Sequence, residues 1–244
     1  MQSHKPRSSA KQRIIDAAFE PFFMHGYEGA SLSDIAKAVG IRKASLYTHF
    51  ASKEAIFLEL LQDALESECA FIKSCFATTS EFSTPGEAYC HAFEARYESA
   101  ITLRFLIRMA YAAPVHLTDT SAATFNVYIK VLTEQIQLAL QPYQLDSEQL
   151  ELYTDAYLGV IDSLSVELLY AEGLYERRFK AMLMLYHTAI EQLDKKYGLD
   201  AETVANAIRN LKLKNLSAQF AGQRLLMFQM MKSMNTKQQK SFLP

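Results

Sequence analysis

Cysteine is scarce in this 244-residue chain, which carries only Cys69, Cys75 and Cys90. An odd, widely spaced set without CxxC spacing is a poor disulfide framework and a poor zinc site. Reduced thiols packed in a cytosolic protein are the expectation. No apolar run approaches the roughly 20 residues that span a bilayer. The opening segment MQSHKPRSSAKQR is charged, and no apolar stretch of signal-peptide type follows it. A soluble, cytoplasmic protein with no membrane partner is therefore expected. Strand-like alternation bounded by turn residues is missing, as is any internal repeat. Also missing are GxGxxG, P-loop, HExxH and GxSxG motifs and any metal-spaced Cys/His set. The six histidines are scattered. His116 and Asp119 are neighbours, but no nucleophile accompanies them. These absences argue against an enzyme and call for neither cofactor nor metal.

What remains is helical. Half of the residues are hydrophobic, enough for a sizeable core. The net charge of −2 argues against a non-specific polycation, but the charge is unevenly placed. Residues 1–54 sum to +3 and the rest to −5. A basic head on an acidic body suits a protein that touches a polyanion at one end. Ile14/Ile15, Ala18/Phe19 and Phe22/Phe23 recur at steps of four and mark one helix face. Gly26 is its stop, with Tyr27 folding back, and Pro21 should bend the helix near its middle. Ser31 caps a second helix bearing Leu32, Ile35, Ala36 and Val39, and Gly40 ends it. A third helix is expected over Lys43–Phe50. Ser52 caps a long fourth.

Two short helices joined at a glycine have the geometry of a helix-turn-helix. At about 100° per residue, Leu46 and Phe50 share the core side of the third helix. Ala44, Ser45 and Thr48 lie broadly opposite. They are small enough for the helix to sit deep in a major groove about 12 Å wide. Their hydroxyls and methyls can meet base edges. Tyr47 and His49 flank that face, where phosphates pass. Arg42 and Lys43 add charge at the helix N-terminus. Lys53 repeats this on the fourth helix, and Ser31 and Ser33 can bond the DNA backbone.

The segment GYEGASLSDIAKAVGIRKASLYTHFASKEAIF (26–57) resembles the N-terminal domain of TetR-family transcriptional regulators. The likeness rests on Gly26-Tyr27, Ser31, Ala36 to Gly40, Leu46-Tyr47-Thr48-His49-Phe50 and Ser52-Lys53-Glu54, and it covers about residues 10–60. It carries DNA contact onto Ser31, Lys43, Ser45, Tyr47, His49 and Lys53. Pro21 departs from the pattern, as does Arg42, which stands where a capping Ser or Thr is usual. The resemblance implies an all-α homodimer, usually a repressor, released from a roughly palindromic double-stranded operator when its C-terminal domain binds a small-molecule effector.

The expected organisation is a flexible basic arm (1–9), a helix-turn-helix DNA-binding domain (10–55), a helical effector-binding and dimerisation domain (56–198) and an additional helical tail (199–244). The loop TTSEFSTPG (78–86) precedes helices expected at about 86–112, 118–141, 147–172 and 175–197. Two stripes suggest an intersubunit four-helix bundle, the alternative being that part of each is internal core. One is Tyr153, Ala156, Tyr157, Val160, Ile161, Leu164 and Leu168; the other is Phe179, Met182, Leu183, Tyr186, Ala189, Ile190 and Leu193. Arg104 and Arg108, one turn apart near Tyr111, are candidates to meet an anionic effector; pairing with carboxylates or exposure to solvent is the alternative. The tail reads as helices at about 201–212 and 217–233, the second rich in methionine, packing on the body or across a dimer, or else forming a ligand lid or a partner surface. A helical adaptor that does not bind DNA is the competing reading of the whole.

Overall fold

The four-residue rhythm near the N-terminus becomes the buried face of α1 (Ser9–Gly29): Ile14, Ile15, Ala18, Phe19 and Phe22 all point inward. Ser8 caps it by accepting from the Lys11 N–H at 3.3 Å. Gly26 breaks the helical path with φ 68°, a value open to glycine at little cost. The backbone stays helical through Pro21. This computed structural model describes residues 7–77, 84–170 and 173–197; the tail helices expected beyond 199 lie outside them. The described residues contain helices and short turns but no strand, so the all-α expectation holds.

After α1 come α2 (Leu32–Val39), α3 (Lys43–Leu46) and α4 (Lys53–Ala77). Then follow α5 (Glu87–Ser99), α6 (Ile101–Tyr111), α7 (Thr118–Leu140), α8 (Ser147–Tyr170) and α9 (Tyr175–Tyr197). The long α4 runs through the centre, packed against α1 at one end and along α6 and α7 beyond it. An aromatic cluster locks this junction. Phe57 of α4 lies 5.7 Å from Phe22 of α1 and 5.6 Å from Phe105 of α6, and Phe19 lies 5.6 Å from Phe105. Arg7 is held against α4 by Asp63 at 2.6 Å and by Glu59; the rest of the basic arm before it, residues 1–6, lies outside the described residues. None of the three cysteines is in a disulfide. Burial pushes the Cys90 thiol up to about 12, which suits a packing role rather than a reactive one.

The structure corrects three expectations. The single helix expected over 86–112 is broken at Ala100, whose φ −115° and ψ 108° are extended. The break brings Arg96 and Thr102 onto one carboxylate oxygen of Glu68, at 2.7 and 2.8 Å. The stripes assigned to a dimer are largely used by the chain itself. Tyr157, Val160, Ile161 and Leu164 of α8 and Leu183, Tyr186, Ile190 and Leu193 of α9 are buried in its own core. The apolar side chains left outward are Leu152, Val166 and Tyr170 on α8 and Met184 and Leu185 on α9. The third is the length of α3, which ends at Leu46 and not at Phe50.

Gly86 ties the start of α5 to this core. Its φ is +79°, and an added Cβ would meet the Tyr157 ring at 2.5, 2.7 and 2.9 Å. The Tyr157 hydroxyl donates to the Gly86 carbonyl at 3.0 Å, and its ring is fully buried. Gly86→Ala is expected to destabilise the protein by about 3 kcal/mol, combining overpacking with left-handed backbone strain. Calorimetry should show a melting temperature lower by roughly 6–12 °C. Gly173 has the same φ of +79° with open space around it, so Gly173→Ala should lose only about 1 kcal/mol. Equal losses at both positions would mean that the clash with Tyr157 contributes nothing.

Candidate nucleic-acid interface

The turn between α2 and α3 is set by Gly40, at φ 77° and ψ 31°. Its N–H donates to the Lys37 carbonyl at 3.1 Å and the Ile41 N–H to the Ala36 carbonyl at 3.0 Å, closing the end of α2. At its other end α2 is capped as expected, with the Asp34 N–H donating to Ser31 Oγ at 3.2 Å. Arg13 of α1 donates to the Val39 carbonyl at 2.7 Å and braces the turn from behind. Leu46 and Phe50 are buried, so α3 is seated by the residues its periodicity assigned to the core.

The third helix is shorter than expected. Its α-helical part is Lys43–Leu46, and Tyr47 to His49 form a tight turn. The Thr48 hydroxyl donates to the Ser45 carbonyl at 2.7 Å, and the His49 N–H donates to the Leu46 carbonyl at 2.9 Å. A side-chain hydroxyl that occupies a backbone acceptor competes with helix continuation. It also sharpens what Thr48 offers outward, because its proton is committed and its oxygen is left to accept.

The candidate contact residues differ in exposure. Ser33, Arg42, Lys43, Ala44, Tyr47 and Thr48 are exposed, while Ser31, Ser45 and His49 are half-buried. Arg42 makes no side-chain cap on α3, which leaves that helix end open. Lys53 is different. Its ammonium donates to the Glu28 carbonyl at 3.0 Å and lies 5.0 Å from the Tyr27 ring. Tyr27 in turn meets His116, between α6 and α7, edge-on at 4.7 Å. The body therefore touches the head through a residue that sequence alone left unassigned.

Residues 14–60 match the sequence profile of bacterial regulatory proteins of the tetR family. The biofilm operon icaADBC HTH-type negative transcriptional regulator IcaR of Staphylococcus aureus (strain Newman) is 55% identical over 47 residues, 19% of this chain. The matched stretch spans only a quarter of that relative's length. The N-terminal head, residues 14–60, is of the TetR type. IcaR of Staphylococcus epidermidis extends the likeness to 169 residues at 25% identity, 68% of this chain and 83% of that protein. The fatty acid degradation regulator FadR from Bacillus halodurans shares the fold at a TM-score of 0.54 and 20% identity, covering 73% of this chain and 97% of that one.

Away from this TetR-type head, the residues proposed for an effector are divided. Arg104 and Arg108 lie over the Phe23 ring of α1, at 5.5 and 5.4 Å. Tyr111 is exposed. Burial pushes its phenol up, helped by Asp162 and Tyr170. A second polar cluster escaped sequence reasoning. One Glu87 oxygen lies 3.3 Å from His91 Nε2 and 3.2 Å from His187 Nε2, beside an open groove of about 600 Å³ between α5 and α9. Only the four-residue spacing of Glu87 and His91 signals it in the sequence. Among the described residues no His, Cys, Asp and Glu cluster is arranged to hold a metal ion, and no helix is long and apolar enough to cross a membrane.

Proposed function

We propose that the chain is a sequence-specific DNA-binding transcriptional regulator, a homodimeric repressor released from its operator by a small-molecule effector. The observation that carries this reading is the outward face of α3. Small residues that admit the helix to a groove stand beside Arg42, Lys43 and Tyr47, and Leu46 and Phe50 anchor them from behind. The similarity of the head to IcaR, a negative transcriptional regulator, supports repression. Leu152, Val166, Tyr170, Met184 and Leu185 support the dimer, because exposed apolar side chains on two neighbouring helices are what a two-fold partner would cover. No enzymatic activity belongs to this reading.

Selection from a random DNA library with the full chain tests it. The bound sequences should converge on two inverted half-sites one helical turn or more apart. Affinity for them should fall steeply as salt is raised. Arg42→Gln with Lys43→Gln should weaken binding uniformly across sequences and lower the salt slope by about 2. Binding without sequence preference would favour a helical adaptor, and convergence on a single half-site would remove the dimer.

A further inference from the structure

Arg104 and Arg108 stand one turn apart on α6, and among the described residues neither is paired with a carboxylate. Both guanidinium groups lie over one ring, Phe23 of α1. Arg104 Nη1 donates to the Glu98 carbonyl at 3.2 Å, while its Nε is buried without an acceptor. Two like charges at this spacing destabilise a helix, and a buried donor without a partner adds to that cost. Tyr97 of α5 feels both charges. Burial pushes its phenol up, and both arginines act against that push.

We infer that Arg104 and Arg108 form a binding site for an oxyanion, a carboxylate or a phosphate group, at the seam between α1 and α6. Guanidinium forks match the geometry of both groups. The place matters under the proposed function, on which the regulatory meaning of this site rests. The α1 helix belongs to the reading head and α6 to the body, so a ligand held here acts where the two meet. This also explains why the arginines face α1 and not the interior of the body, where an enclosed ligand would sit.

Inorganic phosphate and acetate are the probes, titrated into the full chain at constant ionic strength with chloride as reference. The wild type should show a saturable rise in melting temperature with one or both anions beyond the chloride control. Arg104→Gln with Arg108→Gln should abolish that rise. Arg108→Gln alone should weaken it several-fold, and serves if the double variant does not fold. A rise of equal size in the variants, or none in the wild type beyond chloride, overturns the site. Operator binding is measured on the same samples. Variants that bind the operator normally but ignore both anions leave the DNA reading intact, whereas loss of operator selectivity by the wild type defeats that reading whatever the anions do.

Discussion

Glutamate at Ala44 is expected to abolish operator binding while leaving the fold intact. Ala44 is exposed on α3, and neither of its neighbours Lys43 and Ser45 is buried. A glutamate there costs no packing and, in the first turn of a helix, suits the local backbone charge. On DNA the same carboxylate would enter a groove walled by phosphates. Like charges brought together at an interface cost several kcal/mol. Taking about 3 kcal/mol per head gives roughly 100-fold for one head and 10⁴-fold for a dimer with two. Tyr47→Phe is the contrast. It keeps the half-exposed ring and removes only a hydroxyl, worth about 1 kcal/mol per head. Fluorescence anisotropy with a selected operator checks both, with circular dichroism confirming that each variant is folded. Undiminished binding by a folded Ala44→Glu protein would mean that α3 does not enter the groove.

That this face is so well defined reflects how local the head is. Its seating depends on Leu46 and Phe50, on a left-handed Gly40 and on a capping Ser31, all within a twenty-residue stretch. Patterns of this range are written in spacing, and the structure follows them. The end of α3 is the exception, because a side-chain bond from Thr48 to the Ser45 carbonyl competes with a periodicity that would otherwise run on to Phe50. The body was harder to read. An apolar stripe on α8 or α9 says that something covers it, not whether the cover is the same chain or a second one. Tyr157 and Ile161 turned out to be core, and the exposed set beginning at Leu152 became visible only once α8 and α9 were seated. Arg7 and His116 were illegible for a related reason, since their partners are remote in sequence. Glu68 did leave a signal. It occupies a core position on the stripe Leu61, Ala64, Leu65, Glu68, Ile72 of α4, and a carboxylate there implies a buried cation.

That cation is Arg96, and Arg96→Ala should be among the most damaging substitutions in the body. Glu68 has no exposed surface, and the Arg96 side chain retains 22% of its own. The Arg96 Nη2 and Nε donate to the two Glu68 oxygens at 2.7 and 3.2 Å, and Nη2 also reaches Ser67 Oγ at 2.9 Å. Its guanidinium packs 4.6 Å from the centre of the Phe71 ring. Alanine would strand the carboxylate in the core with Thr102 as its remaining partner. Breaking a buried pair from one side costs about 3–5 kcal/mol, whereas replacing both partners with apolar side chains of similar volume is often neutral. Arg96→Ala should therefore lower the melting temperature by roughly 6–20 °C, and Glu68→Met with Arg96→Met by much less. If the double variant loses as much as the single one, the network's hydrogen bonds, and not the stranded charge, hold this region together. The outcome bears on function because Glu68 lies on α4, the helix that runs from the head into the body, while Arg96 and Thr102 lie on α5 and α6. A double variant that stays folded, yet binds its operator with altered affinity, would show that this charged brace sets where α4 holds the reading head.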